Sequence, residues 1–384
     1  MKLFSVMSCL QTINQWFLTG RLFIVKLESD RVMENMKREL FGMPLPQMQT
    51  VFAELGLKKF RAKQVYDWLY QKSVFDFDRM SNLSKGEREL LRQTFSLLPA
   101  EVKTVRRLDS ADGLTQKILL ELPDGNAIET VLMHHDYGYS VCVSSQAGCD
   151  MHCAFCASGL NGAVRNLTAA EILTQVYVFN AVLFPEGQRV SRVVVMGSGE
   201  PMLNFDAVFE ALQFLHQPEG ANISYRNMTV STCGIIPGIE KMKVLGLPIS
   251  LAVSLHAVRT ELRNELMPVN KGYPFADVIA AAEAYARAGG RQVTYEYILL
   301  AGKNDSDTDA ELLAEYLRFK QASVNLIPVN PVPEKGFFRP DRKRIEKFLS
   351  ILQKRRIHAT VRKEMGKDIN AACGQLRASY KAKL

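Results

Sequence analysis

The apolar positions of this chain fall into three successive patterns. From about residue 44 to residue 100 they recur at helical spacing, in QMQTVFAELG, FRAKQVYDWLYQK and SNLSKGERELLRQTF, with Ser81 or Ser84 as the cap of the last. LTQKILLEL and AIETVLMHH then alternate as strands do and flank PDGN, a strong turn signal, so a hairpin is predicted there. After residue 138 strand and helix patterns take turns. YSVCVSS, RVVVMG, NMTVST, ISLAVSLHA, VTYEYILLA, SVNLIPVNP and HATVRKE read as strands, with helical stretches such as TAAEILTQVYVFNAVLF, DAVFEALQFLH and PFADVIAAAEAYARAGG between them. This alternation predicts an α/β fold with a parallel sheet, closed into a full or partial α/β barrel.

Composition narrows the class. The chain has 384 residues, 47% hydrophobic and 23% charged, which is ample for a buried core. The net charge of +8 favours a polyanionic partner, although chance surface bias produces the same excess. Arg61, Lys63, Lys72 and Lys85 tint the helical region, as RNA contacts or as a solvated face. No solenoid repeat and no low-complexity tract occurs. The apolar runs of the first 32 residues are broken by Gln11, Asn14, Gln15, Gly20 and Arg21, so none reaches membrane length. A start at Met33 or Met36 is expected, with a real extra helix as the alternative. No transmembrane segment is read, and a cytoplasmic location is expected.

Seven cysteines, three of them in one short loop, make a poor disulfide framework and suit a reducing compartment. CDMHCAFC puts Cys149, Cys153 and Cys156 in eight residues, just after strand YSVCVSS. A structural zinc ion needs a fourth ligand, and only the adjacent His152 is at hand. An iron–sulfur cluster fits better: three thiolates hold three irons, and the fourth stays open to chelation by a small molecule. In a barrel the chemistry sits at strand ends, and other strand-end loops carry matching residues. MGSGEP places Gly199 and Glu200 there, a glycine that allows close approach and a carboxylate that can pair with an ammonium. Ser231, Ser254, His256 and Asn330 end later strands and can hydrogen-bond ribose or adenine. Cys142 and Cys373 lie outside the cluster; Cys373, in DINAACGQL, has the small neighbours of a loop that approaches a ligand. Cys9 and Cys233 read as ordinary buried thiols.

Taken in order, GC-x3-C-x2-C, GSGEP, SLHA, NLIPVNPVP and DINAACGQLR resemble the radical S-adenosylmethionine RNA adenine methyltransferases of the RlmN/Cfr family, from about residue 36 to 380. The resemblance implies a partial (β/α) barrel of the radical-SAM type with a small N-terminal helical domain. It also implies a [4Fe–4S] cluster with one open iron on Cys149, Cys153 and Cys156. S-adenosylmethionine would be held by Gly199, Glu200, Ser231, Ser254, Leu255, His256 and Asn330, and two molecules would be used per turnover. In the implied mechanism one S-adenosylmethionine methylates Cys373. A 5′-deoxyadenosyl radical from the second takes a hydrogen from that methyl group, and the carbon radical adds to adenine. Glu129, in AIETVLM, would remove the ring proton, and Cys142 would resolve the covalent adduct by forming a disulfide with Cys373.

Proline in GEPMLN, NLIPVNPVPE and the terminal GQLR incline the resemblance to the RlmN branch, which methylates carbon 2 of an adenosine in 23S rRNA and, in many members, of the adenosine 3′ of the anticodon in tRNA. The Cfr branch, acting on carbon 8, is one alternative, and a non-catalytic iron–sulfur RNA-binding protein is another. Asn370 stands where an aspartate is common, and Cys233 where other small residues are usual. A flavodoxin-like or ferredoxin-like electron donor is implied. Arg342, Lys343, Arg344, Lys354, Arg355, Arg356, Arg362, Lys363 and Lys367 could neutralise RNA phosphates. The expected organisation is an extension (1–35), a helical RNA-contacting domain (36–105), a hairpin (106–136), the barrel (137–365) and a catalytic-cysteine tail (366–384).

Overall fold

The structure is a computed structural model that describes residues 37–97, 103–289, 291–372 and 374–376. The expectations for residues 1–36, Cys9 among them, and for Cys373 lie outside the described residues.

Among the described residues three α-helices precede the main sheet: α1 (Leu45–Glu54), α2 (Lys59–Tyr70) and α3 (Lys85–Thr94). Ser84, not Ser81, caps α3. Its hydroxyl accepts from Glu87 N–H, and the Glu87 carboxylate accepts from Ser84 N–H. An aromatic seam docks these helices on the barrel, with Tyr70 edge-on to Tyr177 at 5.4 Å and to Phe214 at 4.8 Å.

Twelve strands follow: β1 (Lys103–Asp109), β2 (Thr115–Glu121), β3 (Ala127–His135), β4 (Gly138–Val143), β5 (Gln146–Gly148), β6 (Ala163–Asn166), β7 (Val190–Val195), β8 (Met228–Thr232), β9 (Ser250–Ser254), β10 (Val293–Leu299), β11 (Ala322–Pro328) and β12 (His358–Val361). All but β5 and β6 form one sheet, ordered β12-β11-β10-β9-β8-β7-β4-β3-β2-β1. From β4 to β12 the sheet is parallel. Its crossovers carry α4 (Ala169–Leu183), α5 (Phe205–His216), α6 (Ile236–Leu245), α7 (Thr260–Leu266), α8 (Phe275–Arg287), α9 (Asp307–Leu317) and α10 (Arg342–Lys354). The end strands β1 and β12 do not pair, so the barrel is partial. No helix among the described residues is long and apolar enough to cross a membrane.

The predicted hairpin is β2–β3, but it is no separate unit. β3 pairs antiparallel with β4 and continues the barrel sheet. This creates one continuous face. The register places Lys117 opposite Val131, Val131 opposite Cys142 and Cys142 beside Val194, while Glu129 is two residues from Val131. Cross-strand partners and residues two apart share a face, so Lys117, Glu129 and Cys142 do too. Residues 366–372 and 374–376 cover that face. Lys117 Nζ donates to Asn370 O (2.9 Å), Ala157 N–H to Gly374 O (2.8 Å) and Ser158 Oγ to Leu376 O (2.8 Å).

Candidate active site

The cysteine loop starts where β5 ends. Gly148 has φ +85°, and a Cβ there would stand 1.9 Å from the Gly162 carbonyl oxygen, so only glycine fits. The next amide, Cys149 N–H, donates to that same oxygen (3.1 Å). Ala154 N–H donates to Leu266 O (2.9 Å), anchoring the loop to α7. Cys149, Cys153 and Cys156 all line one cavity of about 160 Å³, with Gly199, Glu200, Ser231, Ser254, His256 and Gly374. Phe155, between the last two cysteines, stands edge-on to His256 at 4.9 Å.

These residues fit a cluster. Burial pushes the Cys149 thiol up to about 11 and raises the Cys153 thiol further, so the bare thiols stay protonated at neutral pH and need a metal to ionise them. His152, the proposed fourth zinc ligand, does not line the cavity. Among the described residues no group of three donors closes on a single metal ion. A cluster does not require that, because each thiolate takes its own iron.

Glu200 is 3% exposed, and burial raises its carboxyl. Its oxygens accept from Met202 N–H (3.1 Å) and Cys233 N–H (2.8 Å), and no cation pairs with it among the described residues. The Cys233 and Thr232 side chains also bond to it, but a buried carboxylate with neutral partners alone still fits the ammonium group of a ligand. Gly199 acts differently from the expectation. At φ +102° its bare side faces Gln146, whose Cβ would be 2.6 Å from an added Cβ, so glycine here lets two strand-end loops pack.

His256, at φ +59°, is buried, and burial holds its imidazole down to about 3. Ile298 N–H donates to Nδ1 (3.0 Å), which leaves the proton of the neutral ring on Nε2. Leu255 is buried but does not line the cavity; its N–H donates to Glu296 O (3.0 Å). Asn330 lies in a neighbouring cavity of about 330 Å³, which shares Met196, Glu296, Ile327 and Arg362 with the first.

Cys142 packs with Val131 and Leu376, beside Met196 and Ala371. Glu129 lines a third cavity with Lys117, Asn370 and Gln375, and its Oε1 is 2.9 Å from Lys117 Nζ. It therefore faces the residues around position 373 rather than the cysteine loop. The C-terminal segment links all three places: Ala372 lines the second cavity, Gly374 the first and Gln375 the third.

Sequence reading missed Glu296, Arg263 and Lys117. Glu296 lines both the first and the second cavity; burial raises its carboxyl, and Asn325 Nδ2 donates to it (2.8 Å). An acidic residue inside apolar VTYEYILLA was the available signal. Several basic residues on and just after α10 have acidic partners, while Lys343, Lys354 and Arg356 are exposed. Arg342 pairs with Glu346, Arg344 and Lys347 with Asp307, and Arg355 with Glu311. In the helical region Arg61 pairs with Glu87 and Lys63 with Asp67, while Lys72 lies on the Trp68 ring.

Two family models match. One, the ribosomal RNA large subunit methyltransferase N-terminal domain, covers residues 38–97; the other, the radical SAM superfamily, covers 143–313. Curated relatives described as "Probable dual-specificity RNA methyltransferase RlmN" include that of Symbiobacterium thermophilum, 49% identical over 89% of this chain and 91% of its own. That of Desulforamulus reducens is 46% identical over 91% and 98%. The crystal structure of a radical SAM methyltransferase from Sphaerobacter thermophilus superposes with a TM-score of 0.86, at 42% identity over 89% of this chain and all of that one. With these matches on both the helical region and the barrel, the chain belongs to the RlmN family of radical SAM methyltransferases.

Proposed function

We propose that this enzyme methylates carbon 2 of an adenosine in the peptidyl-transferase region of 23S rRNA, and of the adenosine 3′ of the anticodon in some tRNAs. Cys149, Cys153 and Cys156 would hold a [4Fe–4S] cluster, which, fed by a flavodoxin-like or ferredoxin-like donor, would supply the electron for cleavage of S-adenosylmethionine. Glu200 holds the ammonium of S-adenosylmethionine. Ser231, Ser254 and the Nε2–H of His256 bind its remaining polar groups, and Gly199 shapes the loop beneath it. Leu255 contributes through its backbone, and Asn330 from the adjoining cavity. Cys373 carries the methyl group, Glu129 takes the proton from the ring carbon, and Cys142 frees the product by forming a disulfide with Cys373.

One observation carries this reading. Gly374 O accepts from the cluster loop, Ala371 and Leu376 pack on Cys142, and Asn370 and Gln375 line the cavity of Glu129. Residues distant in sequence thus flank position 373.

The test is anaerobic reconstitution with S-adenosylmethionine, a reductant and a 23S rRNA fragment, followed by nucleoside mass spectrometry. 2-Methyladenosine, lost on Cys373→Ala, is expected. 8-Methyladenosine would move the chain to the Cfr type of chemistry. No methylated adenosine from cluster-loaded enzyme would leave a non-catalytic RNA-binding protein.

A further inference from the structure

The β3–β4 turn carries aromatic rings that the reaction residues do not explain. The His135 and Tyr137 rings stack at 4.6 Å and 14°, and the Arg192 guanidinium lies 4.4 Å from the Tyr137 centroid. Tyr137 is 58% exposed. A ring this open adds little to the core, yet it is held in a ladder of three flat groups. The ladder stands on the rim of the second cavity, which His135 and Tyr137 line.

That cavity is the natural approach for a large substrate. It shares the Met196–Glu296–Ile327 wall with the cysteine cavity, and Ala371 and Ala372 line it just before position 373. Lys363 lines it and is exposed. Among the described residues neither Lys363 nor Arg192 pairs with a carboxylate. Of the two acids in the lining, Glu364 already has Arg339 and Lys367 as partners, and Glu296 is buried and bonded to Asn325. Burial, and next the charge of Arg192, lower the His135 pKa, so the imidazole stacks as a neutral ring.

Flat rings flanked by cations that have no salt-bridge partner among the described residues, at the rim of a cavity, match a single-stranded nucleic acid: bases stack on the rings and phosphates meet the cations. We propose that the His135–Tyr137–Arg192 ladder is a stacking platform for an RNA base next to the target adenosine, with Lys363 contacting the adjoining phosphate. The inference rests on reading the chain as an RNA-modifying enzyme.

The experiment is fluorescence anisotropy with a labelled 23S rRNA fragment and cluster-loaded enzyme, without reductant so that no turnover occurs. Tyr137→Ala is expected to weaken RNA binding by roughly 5- to 150-fold, the range for one lost base stack. Tyr137→Phe should bind as the wild type does. Lys363→Ala should reduce the slope of log affinity against log salt by about one. Cluster absorbance and S-adenosylmethionine affinity should hold throughout. Unchanged RNA affinity in Tyr137→Ala overturns the platform, as does parallel loss of cluster or S-adenosylmethionine binding, which marks a structural role. The methylation assay separates the two readings. A wild type that methylates RNA while Tyr137→Ala binds normally sinks the platform alone. Tyr137-dependent binding without methylation sinks the activity alone.

Discussion

Lys117 and Glu129 form a buried ion pair, Nζ to Oε1 2.9 Å, each side chain 8% exposed. The same ammonium donates to Asn370 O (2.9 Å), so one cation ties the proposed base to the segment that leads to position 373. Breaking a buried pair from one side leaves an uncompensated charge, whereas removing both sides does not. Lys117→Met is therefore expected to cost about 3–5 kcal/mol in urea denaturation. Lys117→Met combined with Glu129→Gln should recover most of that loss. Glu129→Gln alone leaves the Lys117 ammonium uncompensated and should lose a comparable amount of stability, and its folded, cluster-loaded fraction should give no methylated RNA.

The packing of Cys142 against Leu376 and Ala371 predicts a trapped intermediate. If Cys142 releases the product by attacking the Cys373 sulfur, Cys142→Ala stops the reaction after the protein–RNA bond has formed. RNA-linked protein should then accumulate on a denaturing gel, and nuclease should return it to the mobility of the free chain. Cys373→Ala should give no adduct at all. A Cys142→Ala enzyme that releases methylated RNA at the wild-type rate would remove Cys142 from the mechanism.

His256 predicts an acid limb of stability. Burial holds its pKa at about 3 against an ordinary 6.5. A lowered folded-state pKa means that the unfolded chain binds the proton first, so this contribution is complete above 6.5 and is lost as pH falls towards 3. At about pH 4.5 the loss amounts to roughly 2–3 kcal/mol. Gln in place of His256 keeps an acceptor for Ile298 N–H and cannot protonate. Denaturation midpoints at about pH 7 and pH 4.5 should therefore differ less in His256→Gln than in the wild type.

The barrel strands were legible because each is a short apolar run between turn signals. Strand β1 was not: as an exposed edge, KTVRRLD carries polar side chains and no apolar rhythm. The cysteine loop and GSGEP were legible as strand-end motifs. Two placements were not. Asn330 ends a strand as its companions do, yet it opens into the second cavity. Glu129 reads as a solvated strand residue, and the pairing of β3 with β4 and the cover of residues 368–370 and Gln375 bury it. Lys117 was hidden for the same reason. Periodicity reports one strand's faces, not which faces a distant segment will cover.

Arg263 argues for a last prediction. It is 0% exposed on α7, and its guanidinium donates to Leu255 O (3.0 Å), Cys233 O (2.9 Å), Ser254 O (3.3 Å) and Asn270 Oδ1 (2.7 Å). No carboxylate pairs with it among the described residues. Burial lowers its pKa to about 10, and the nearby Cys233 and Cys153 side chains act the other way. A buried cation without an acid partner is expensive unless a negative charge arrives. A cluster on three thiolates brings one, and reduction makes it more negative, so Arg263 should favour the reduced state. Arg263→Gln is expected to move the cluster midpoint potential to more negative values in an anaerobic titration followed by electron paramagnetic resonance. Arg263→Lys, which keeps the charge and loses the fork of donors, should hold most of the potential while loosening the Ser254–His256 loop and weakening S-adenosylmethionine binding. Equal potentials in all three proteins would reduce Arg263 to a loop clamp, and the charge argument would fall.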